Sequence, residues 1–320
     1  MTAFKFKLDN LRKNINIFYI ISGQNKFSFM SVKKVGILAT LGASIAWAFE
    51  PIFAKLSYAN TDFLKTSAIR AMFVTLVALI YSLITNRADL RVNKKQLSIL
   101  VYIAFAGTLF ADLMYLFALT KVPVINAVLI GHMQPIFIIF IGFFYLKEDK
   151  LTKFDYAGIG FMVIAGLLVT TKTLKNLSTL KLGTVYDLFV LFATVAWATT
   201  GVVARKYLKN MNAGVVTFYR FLIASAIFMT YLVLTSSIVV SNIYQVLIGI
   251  TVGGGYILYY EGLKRIKAAQ SSALELSTPF FAALLGFFVL GELVTVMQVL
   301  GIFLLFIGVY FLSAKEKAYS

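Results

Sequence analysis

The sequence predicts an all-α integral membrane protein with ten transmembrane helices in two inverted five-helix repeats. Its residues are 60% hydrophobic and only 13% charged, whereas the residues of soluble domains are about 45–50% apolar and about 25% charged. Landmark residues also recur at a fixed spacing of 150 positions in one part of the repeat and 144 in another, which indicates an internal duplication. The recurring pairs are Trp47 and Trp197, Arg70 and Arg220, Pro135 and Pro279, and Glu148 and Glu292.

Ten apolar segments account for the predicted helices. A helix needs about 20 predominantly apolar residues to cross a bilayer. The connections between the segments are short, so consecutive helices are expected to run antiparallel. The predicted spans are residues 34–54, 63–85, 97–119, 122–146, 154–171, 183–206, 213–236, 242–262, 267–290 and 293–313.

The distribution of Lys and Arg predicts the orientation of these spans. With both termini in the cytoplasm, 22 of the 30 Lys and Arg residues lie in cytoplasmic segments and six in outer loops. The remaining two, Arg70 and Arg220, lie inside spans. This bias follows the positive-inside rule and predicts a multi-pass protein of the plasma membrane. Because five spans is an odd number, the second repeat enters from the opposite side, and a pseudo-two-fold axis lies in the membrane plane.

These segments divide the chain into four regions. Residues 1–33 form a basic cytoplasmic segment, 34–172 the first repeat, 183–313 the second repeat, and 314–320 a cytoplasmic tail. The apolar patch in the first region is too short to span, and no signal-peptide cleavage site follows it. Either this region is a disordered or surface-lying tail, or translation starts at Met30. Deletion of residues 2–29 tests the second alternative, which loss of membrane insertion would exclude.

Several function classes are excluded by residue content. The chain has no cysteine and one histidine, His132, so a disulfide, a thiolate nucleophile and a multi-histidine metal site are impossible. No HExxH or GxSxG motif and no nucleotide-binding domain occur. The net charge of +17 reflects helix orientation rather than nucleic-acid binding. We therefore expect no enzymatic activity, no cofactor and no metal.

Each repeat contains a Pro-led helix that ends in a glutamate and is followed by a Gly-containing helix. In the first repeat PIFIIFIGFFYLKEDK (135–150) is followed by AGIG (157–160), and in the second PFFAALLGFFVLGELV (279–294) is followed by LGIF (300–303). This doubled pattern resembles the EamA-type family of the drug/metabolite transporter (DMT) superfamily, with LKED in place of the L-G-E form in the first repeat. The resemblance implies a secondary transporter that exports small organic metabolites, such as amino acids or drugs, by alternating access around a central cavity.

The expected partners of this transporter are its substrate and the lipid bilayer, with protons as an optional coupling ion, and the expected oligomeric state is a monomer. A channel or a non-transporting helper subunit is the alternative.

Ionisable side chains within spans are candidates for gating, because each is costly in a bilayer. The predicted depths place Arg70, Glu50 and Asp112 in the outer half of the membrane and Arg220 and Glu275 in the inner half. We predict that Arg70 pairs with Glu50 or Asp112 in an outer gate and that Arg220 pairs with Glu275 in an inner gate. The alternative is permanent structural ion pairs or snorkelling to the headgroups.

A polar patch near the middle of span four predicts the substrate site. His132 is the only side chain with an ordinary pKa near neutrality, so it could contact substrate or carry a coupled proton. Pro135 removes a backbone donor and frees the Gly131 carbonyl. Alternatively, His132 is a neutral side chain hydrogen-bonded between helices, and the two tryptophans pack helices. The predicted substrate-binding residues are Trp47, Glu50, His132, Gln134, Trp197, Tyr256, Tyr259 and Glu275.

Two further features are interpreted as structural. Glu148 and Glu292 each end a span, where a carboxylate provides a polar stop and favours a nearby helix N-terminus. The three glycines of GGG (253–255) permit close helix packing and lack the context of a phosphate-binding loop.

Overall fold

The computed structural model describes residues 32–85, 90–141, 153–181, 183–208, 211–235, 239–266, 271 and 274–318. The predictions for Glu148 and for nearly all of residues 1–33 lie outside these ranges. Within these described ranges, the regular secondary-structure elements of several residues are helices. They are α1 (Val32–Ser57), α2 (Phe63–Thr85), α3 (Lys94–Leu119), α4 (Val124–Gly131), α5 (Gln134–Ile141), α6 (Lys153–Thr171), α7 (Leu174–Ser178), α8 (Val185–Leu208), α9 (Ala213–Leu234), α10 (Ile243–Leu263), α11 (Ser277–Leu290) and α12 (Val296–Ala318).

The prediction of an all-helical membrane protein is confirmed in its coarse form. Among the described residues, six helices are long and apolar enough to cross a membrane, namely α1, α2, α3, α8, α9 and α10. Shorter apolar helices cover Val124–Ile138, Tyr156–Thr171, Ser277–Leu290 and Val296–Phe311, where spans four, five, nine and ten are predicted. The count of ten crossings stays a prediction.

The packing of the helices follows a two-fold pattern. Helix α1 of the first half packs on α10 and α11, and its counterpart α8 packs on α3, α4 and α5. Helices α2 and α9, which occupy the same place in the two halves, pack on each other, and so do α6 and α12. The interface between the halves therefore contains matched pairs, as expected for two repeats related by a pseudo-two-fold axis.

Local sequence signals set several helix ends. Asn93 caps α3 in a capping box with Gln96, and Asn212 and Asn242 accept backbone N–H hydrogen bonds at the starts of α9 and α10. These side chains satisfy donors that the first turn of a helix cannot pair internally. Gly291 ends α11 with φ of 66°, a left-handed conformation that favours glycine.

Two of the predicted spans are interrupted in the structure, span four at the place where Pro135 predicts a break. Span four is two helices, α4 and α5, separated by a turn at His132 and Met133. The expected helix over 267–290 has a turn at Leu276 before α11 begins. Each break precedes a proline by three residues, Pro135 and Pro279, because the proline ring cannot donate to the preceding turn and crowds it.

The bundle has two ends that matter for the site. At one end, the start of α1 meets the end of α10: a Cβ on Gly36 would lie 2.7 Å from Ile266 Cγ2. We call this the Lys264 end, and it is the predicted cytoplasmic side. At the other end, Lys55 near the end of α1 contacts Glu292 just beyond α11. This Glu292 end is the predicted outer side.

Candidate functional site

A cavity of about 360 Å³ lies between the two halves of the bundle. At the Lys264 end the cavity is lined by Leu208, Met211 and the exposed Lys264. At its opposite limit, toward the Glu292 end, it is lined by the buried Tyr115 and Ala127. The cavity is therefore accessible from the Lys264 end and closed toward the Glu292 end. All eight residues predicted to bind substrate line it, namely Trp47, Glu50, His132, Gln134, Trp197, Tyr256, Tyr259 and Glu275.

Aromatic rings form much of the cavity wall. The ring centroid of Trp47 lies 5.1 Å from that of Tyr259 and 5.6 Å from that of Tyr256. Trp197 packs against Tyr115 on the other side, with 5.2 Å between centroids. These tilted and edge-on arrangements are favourable for aromatic pairs. The two tryptophans thus both pack helices and line the cavity.

The Arg70 guanidinium binds two carboxylates. Its Nη2 lies 2.6 Å from Glu50 Oε1, and its Nη1 lies 3.0 Å from Asp112 Oδ2. The Arg70 side chain is only 2% exposed, so this charge depends on both partners to remain in the apolar interior. The prediction offered Glu50 or Asp112 as the partner, and the structure pairs Arg70 with both.

Arg220 has different partners from the one predicted. Its Nε donates to Thr108 Oγ1 at 2.8 Å, and its Nη2 lies 3.4 Å from Asp112 Oδ1. The guanidinium carbon also lies 4.4 Å from the ring centroid of Tyr256, a cation–π contact. Arg220 instead reaches the same carboxylate as Arg70, and the Arg220–Glu275 gate stays a prediction.

The repeat explains this asymmetry. In the 144-residue register Asp112 corresponds to Tyr256, and in the 150-residue register Glu50 corresponds to Thr200. Where Arg70 meets two carboxylates, Arg220 meets the ring of Tyr256, and the hydroxyl that it contacts belongs to Thr108 of the other half. The nearest carboxylate for Arg220 is therefore Asp112, across the interface between the halves.

Four charged side chains thus form one cluster, Glu50, Arg70, Asp112 and Arg220, which is formally neutral. The Phe221 ring contacts both guanidinium groups, with centroid distances of 5.5 Å to Arg70 Cζ and 5.1 Å to Arg220 Cζ. Neutrality and these ring contacts reduce the cost of burying four charges. The cluster takes the place of the two separate gates that the predicted depths implied.

Trp197 joins the cluster to the cavity. Its Nε1 donates a 2.7 Å hydrogen bond to Asp112 Oδ1. Asp112 therefore accepts from Trp197 and from both arginines, and every one of its described partners is a donor. A ligand that displaces the Trp197 ring would also disturb the charge cluster.

A π-helical segment of α3 positions the residues of α3 that contact Arg220. The segment Ala104–Asp112 is a π-helix between two α-helical segments, a feature found often at functional sites. It contains Thr108 and ends at Asp112, and both residues bind Arg220. Gly107 in the same segment leaves room for the arginine, since a Cβ there would lie 3.0 Å from Arg220 Nη2.

His132 lies at the break between α4 and α5. Its Nδ1 lies 2.7 Å from the Val128 carbonyl oxygen, so Nδ1 donates. The ring also interacts with the backbone of Glu275, whose carbonyl lies one turn before Pro279 and has lost its usual helical donor. The Glu275 carboxylate accepts from Ser271 Oγ at 3.0 Å. The two broken helices therefore meet at His132 and Glu275.

Several cavity residues were not predicted, among them Tyr115, Thr200 and Thr278. The repeat register carries a signal for most of them, since Thr200 corresponds to Glu50, Tyr115 to Tyr259 and Thr278 to Gln134. The Thr278 hydroxyl is buried and has no hydrogen-bond partner among the described residues. It is one of the groups in the cavity wall that a ligand could satisfy.

Known proteins share this architecture. The crystal structure of another protein aligns with this chain with a TM-score of 0.63 and 17% identity, over 90% of this chain and 99% of that chain, which shows a common fold. An "Uncharacterized transporter YyaM" of Bacillus subtilis is 27% identical over 250 residues, covering 75% of this chain and 79% of the relative. An "Uncharacterized transporter sll1164" of Synechocystis is 25% identical over 305 residues, covering 91% and 77%.

A family model matches the chain twice. The model describes the EamA-like transporter family, and it matches residues 34–171 and 184–314. Together these ranges cover most of the chain and fall on the two halves that pack around the cavity. The chain belongs to the EamA-like transporter family.

Proposed function

We propose that the protein is a secondary transporter that exports small organic metabolites across the plasma membrane by alternating access around the cavity between its two halves. The observation that carries this proposal is a cavity reached from one end of the bundle and closed at the other. The matched helix pairs across it allow the halves to exchange roles, as in other transporters built from repeats. In this conformation the cavity faces the predicted cytoplasm, the side from which an exporter loads its substrate.

The proposed topology is ten spans in two inverted repeats with both termini in the cytoplasm. Support comes from the four shorter apolar helices at the predicted places and from the excess of Lys and Arg in the segments assigned to the cytoplasm. A shorter helix can still contribute to a crossing when its ends are polar or when a second helix continues it.

The chemistry of the cavity favours an amphipathic substrate with a basic or zwitterionic group. Ligand pockets have volumes of about 300–1,000 Å³, and 360 Å³ suits a molecule of amino-acid or small-drug size. Aromatic faces such as that of Trp47 bind apolar and cationic groups. The Glu50 and Glu275 carboxylates can accept from an ammonium, and His132 and Gln134 add further polar contacts.

The charge cluster provides a mechanism for coupling substrate to movement. Arg220 and Asp112 approach to 3.4 and 3.5 Å, whereas Arg70 approaches its carboxylates to 2.6 and 3.0 Å. The longer contact joins the two halves, so we propose that it breaks when they move apart. The opposing proposal is a permanent structural cluster, in which neutralising Arg220 would leave transport intact.

Counterflow in proteoliposomes tests the function. An export and resistance screen in cells that overexpress the protein supplies the substrate. Saturable counterflow of that substrate is expected, and Trp47→Ala should reduce its rate about tenfold by removing a cavity face worth roughly 1–2 kcal/mol. The matched control is Leu38→Ala on the same helix, where the side chain is 56% exposed and outside the cavity. Flux without saturation or counterflow would indicate a channel, and no flux would indicate a helper subunit.

A further inference from the structure

The closure at the Glu292 end depends on a side chain first interpreted as a polar stop. The Glu292 carboxylate accepts from the backbone N–H of Val124 through both oxygens, at 2.8 and 3.1 Å. Val124 is the first residue of α4, and no side-chain cap comes from the preceding Pro123. Glu292 therefore caps a helix of the other half of the protein, where a carboxylate is favoured by the helix dipole.

The same carboxylate forms an ion pair with a third helix. Lys55 Nζ lies 2.8 Å from Glu292 Oε1, with side-chain exposures of 24% for Lys55 and 16% for Glu292. Glu292 thus ties α1 and α4 to the segment that follows α11. These three elements bound the cavity, because α1 carries Trp47, α4 carries Ala127 and α11 carries Thr278.

A second polar contact holds the same turn of α4. Gln298 of α12 donates to Asn126 Oδ1 at 2.8 Å, and Asn126 Nδ2 donates to Asp187 of α8 at 3.3 Å. Asn126, Gln298 and Asp187 are all buried. The first turn of α4 is therefore fixed at two residues, Val124 and Asn126, and only the contact of Val124 with Glu292 includes a partly exposed ion pair.

We infer that Lys55, Glu292 and the Val124 amide form a latch that keeps the cavity closed at the Glu292 end, and that its release opens the cavity there. Ala127 and Val128 line the buried limit of the cavity and lie about one turn after Val124. Movement of that turn would expose them first. The pair is also part of the repeat, since Glu148 and Arg205 stand at the corresponding positions of the sequence. The inference rests on the proposed alternating access.

The absence of cysteine from the chain permits a direct test that needs no substrate. A single cysteine in place of Ala127 reports access to the cavity through its labelling by a membrane-impermeant maleimide. A cysteine in place of Asn60, in the exposed loop after α1, identifies the side of the membrane on which the latch lies. Labelling of Ala127→Cys is compared from that side in intact cells and from the opposite side in inverted vesicles.

The latch predicts a gain of labelling from the Glu292 side. Glu292→Gln, which keeps an acceptor for Val124, and Lys55→Met should each raise the labelling rate by about threefold or more, as expected for loss of a partly buried ion pair. Asp62→Asn is the matched control, because Asp62 lies at the same end but caps only its own helix, α2.

The outcomes separate the latch from the proposed function. Unchanged labelling in both single variants would overturn the latch, even if the protein transports. Increased labelling without any transported substrate would support the latch and count against the transporter. If Glu292→Gln fails to fold, the labelling rate in Lys55→Met alone tests the latch, since this variant leaves the Glu292 cap on Val124 in place.

Discussion

Replacement of Asp112 by Asn examines the charge cluster most directly. Asn has the same shape and keeps an oxygen that can accept from Trp197 Nε1, a bond of 2.7 Å. It removes the charge that faces Arg70 at 3.0 Å and Arg220 at 3.4 Å. The cluster then holds two buried guanidinium groups and one carboxylate, Glu50.

The structure allows the cost to be estimated. At an effective dielectric constant of about 20, unit charges in contact attract by roughly 4–5 kcal/mol. Removal of one partner of a buried pair costs about 3–5 kcal/mol in measured cases. Asp112 has two cationic partners and is 2% exposed, so we expect a loss of about 3–5 kcal/mol. This corresponds to a melting temperature lower by roughly 5–10 °C.

Thermal unfolding in detergent, followed by size-exclusion chromatography, measures this loss. Asp62→Asn serves as the control, since Asn caps a helix about as well as Asp and should change stability by less than about 0.5 kcal/mol. The double variant Asp112→Asn, Arg220→Gln restores neutrality and should lose less than the sum of the single variants, with a coupling of about 1–3 kcal/mol. A melting temperature for Asp112→Asn equal to that of the unmodified protein would refute the argument that the cluster stabilises the interface between the halves.

Two further predictions concern the broken helix and a helix end. His132→Gln keeps a donor for the Val128 carbonyl but cannot titrate. Transport should therefore lose its pH dependence between about pH 5 and 8. An unchanged pH profile of transport in proteoliposomes would reject proton coupling through this side chain. Gly291→Ala should lower stability by about 1–2 kcal/mol because φ is 66° and an L-residue resists that conformation. Gly160→Ala, a helical position with nothing within 4 Å of the added Cβ, should instead raise stability by up to about 1 kcal/mol, and equal melting temperatures for the two variants would contradict the backbone argument.

Much of the site could be predicted from the sequence because charge and polarity are costly inside a bilayer. Glu50, His132 and Glu275 stand out within apolar segments, and each lines the cavity. Pro135 predicts the break in span four because its ring removes a helical hydrogen bond whatever surrounds it. These signals depend on local chemistry and on the solvent, so they can be read along the chain.

The pairing of the arginines could not be read in that way. Depth along each span placed Arg70 and Arg220 in separate halves of the membrane, but a guanidinium on a long side chain can reach several residues along a neighbouring helix. The π-helical segment Ala104–Asp112 also changes which side chains of α3 face the interface, and no sequence pattern indicated it. The common partner Asp112 therefore emerged only from the packed helices.

The sequence by itself determined the membrane class, the duplication and the polar residues of the cavity, because these follow from hydropathy, spacing and the cost of buried charge. The tertiary structure decided which charges meet: Arg220 with Asp112 instead of Glu275, and Glu292 with Lys55 and the Val124 amide. Such contacts join residues up to 237 positions apart, so their geometry depends on how the two halves pack. The same packing decides which end of the cavity is open.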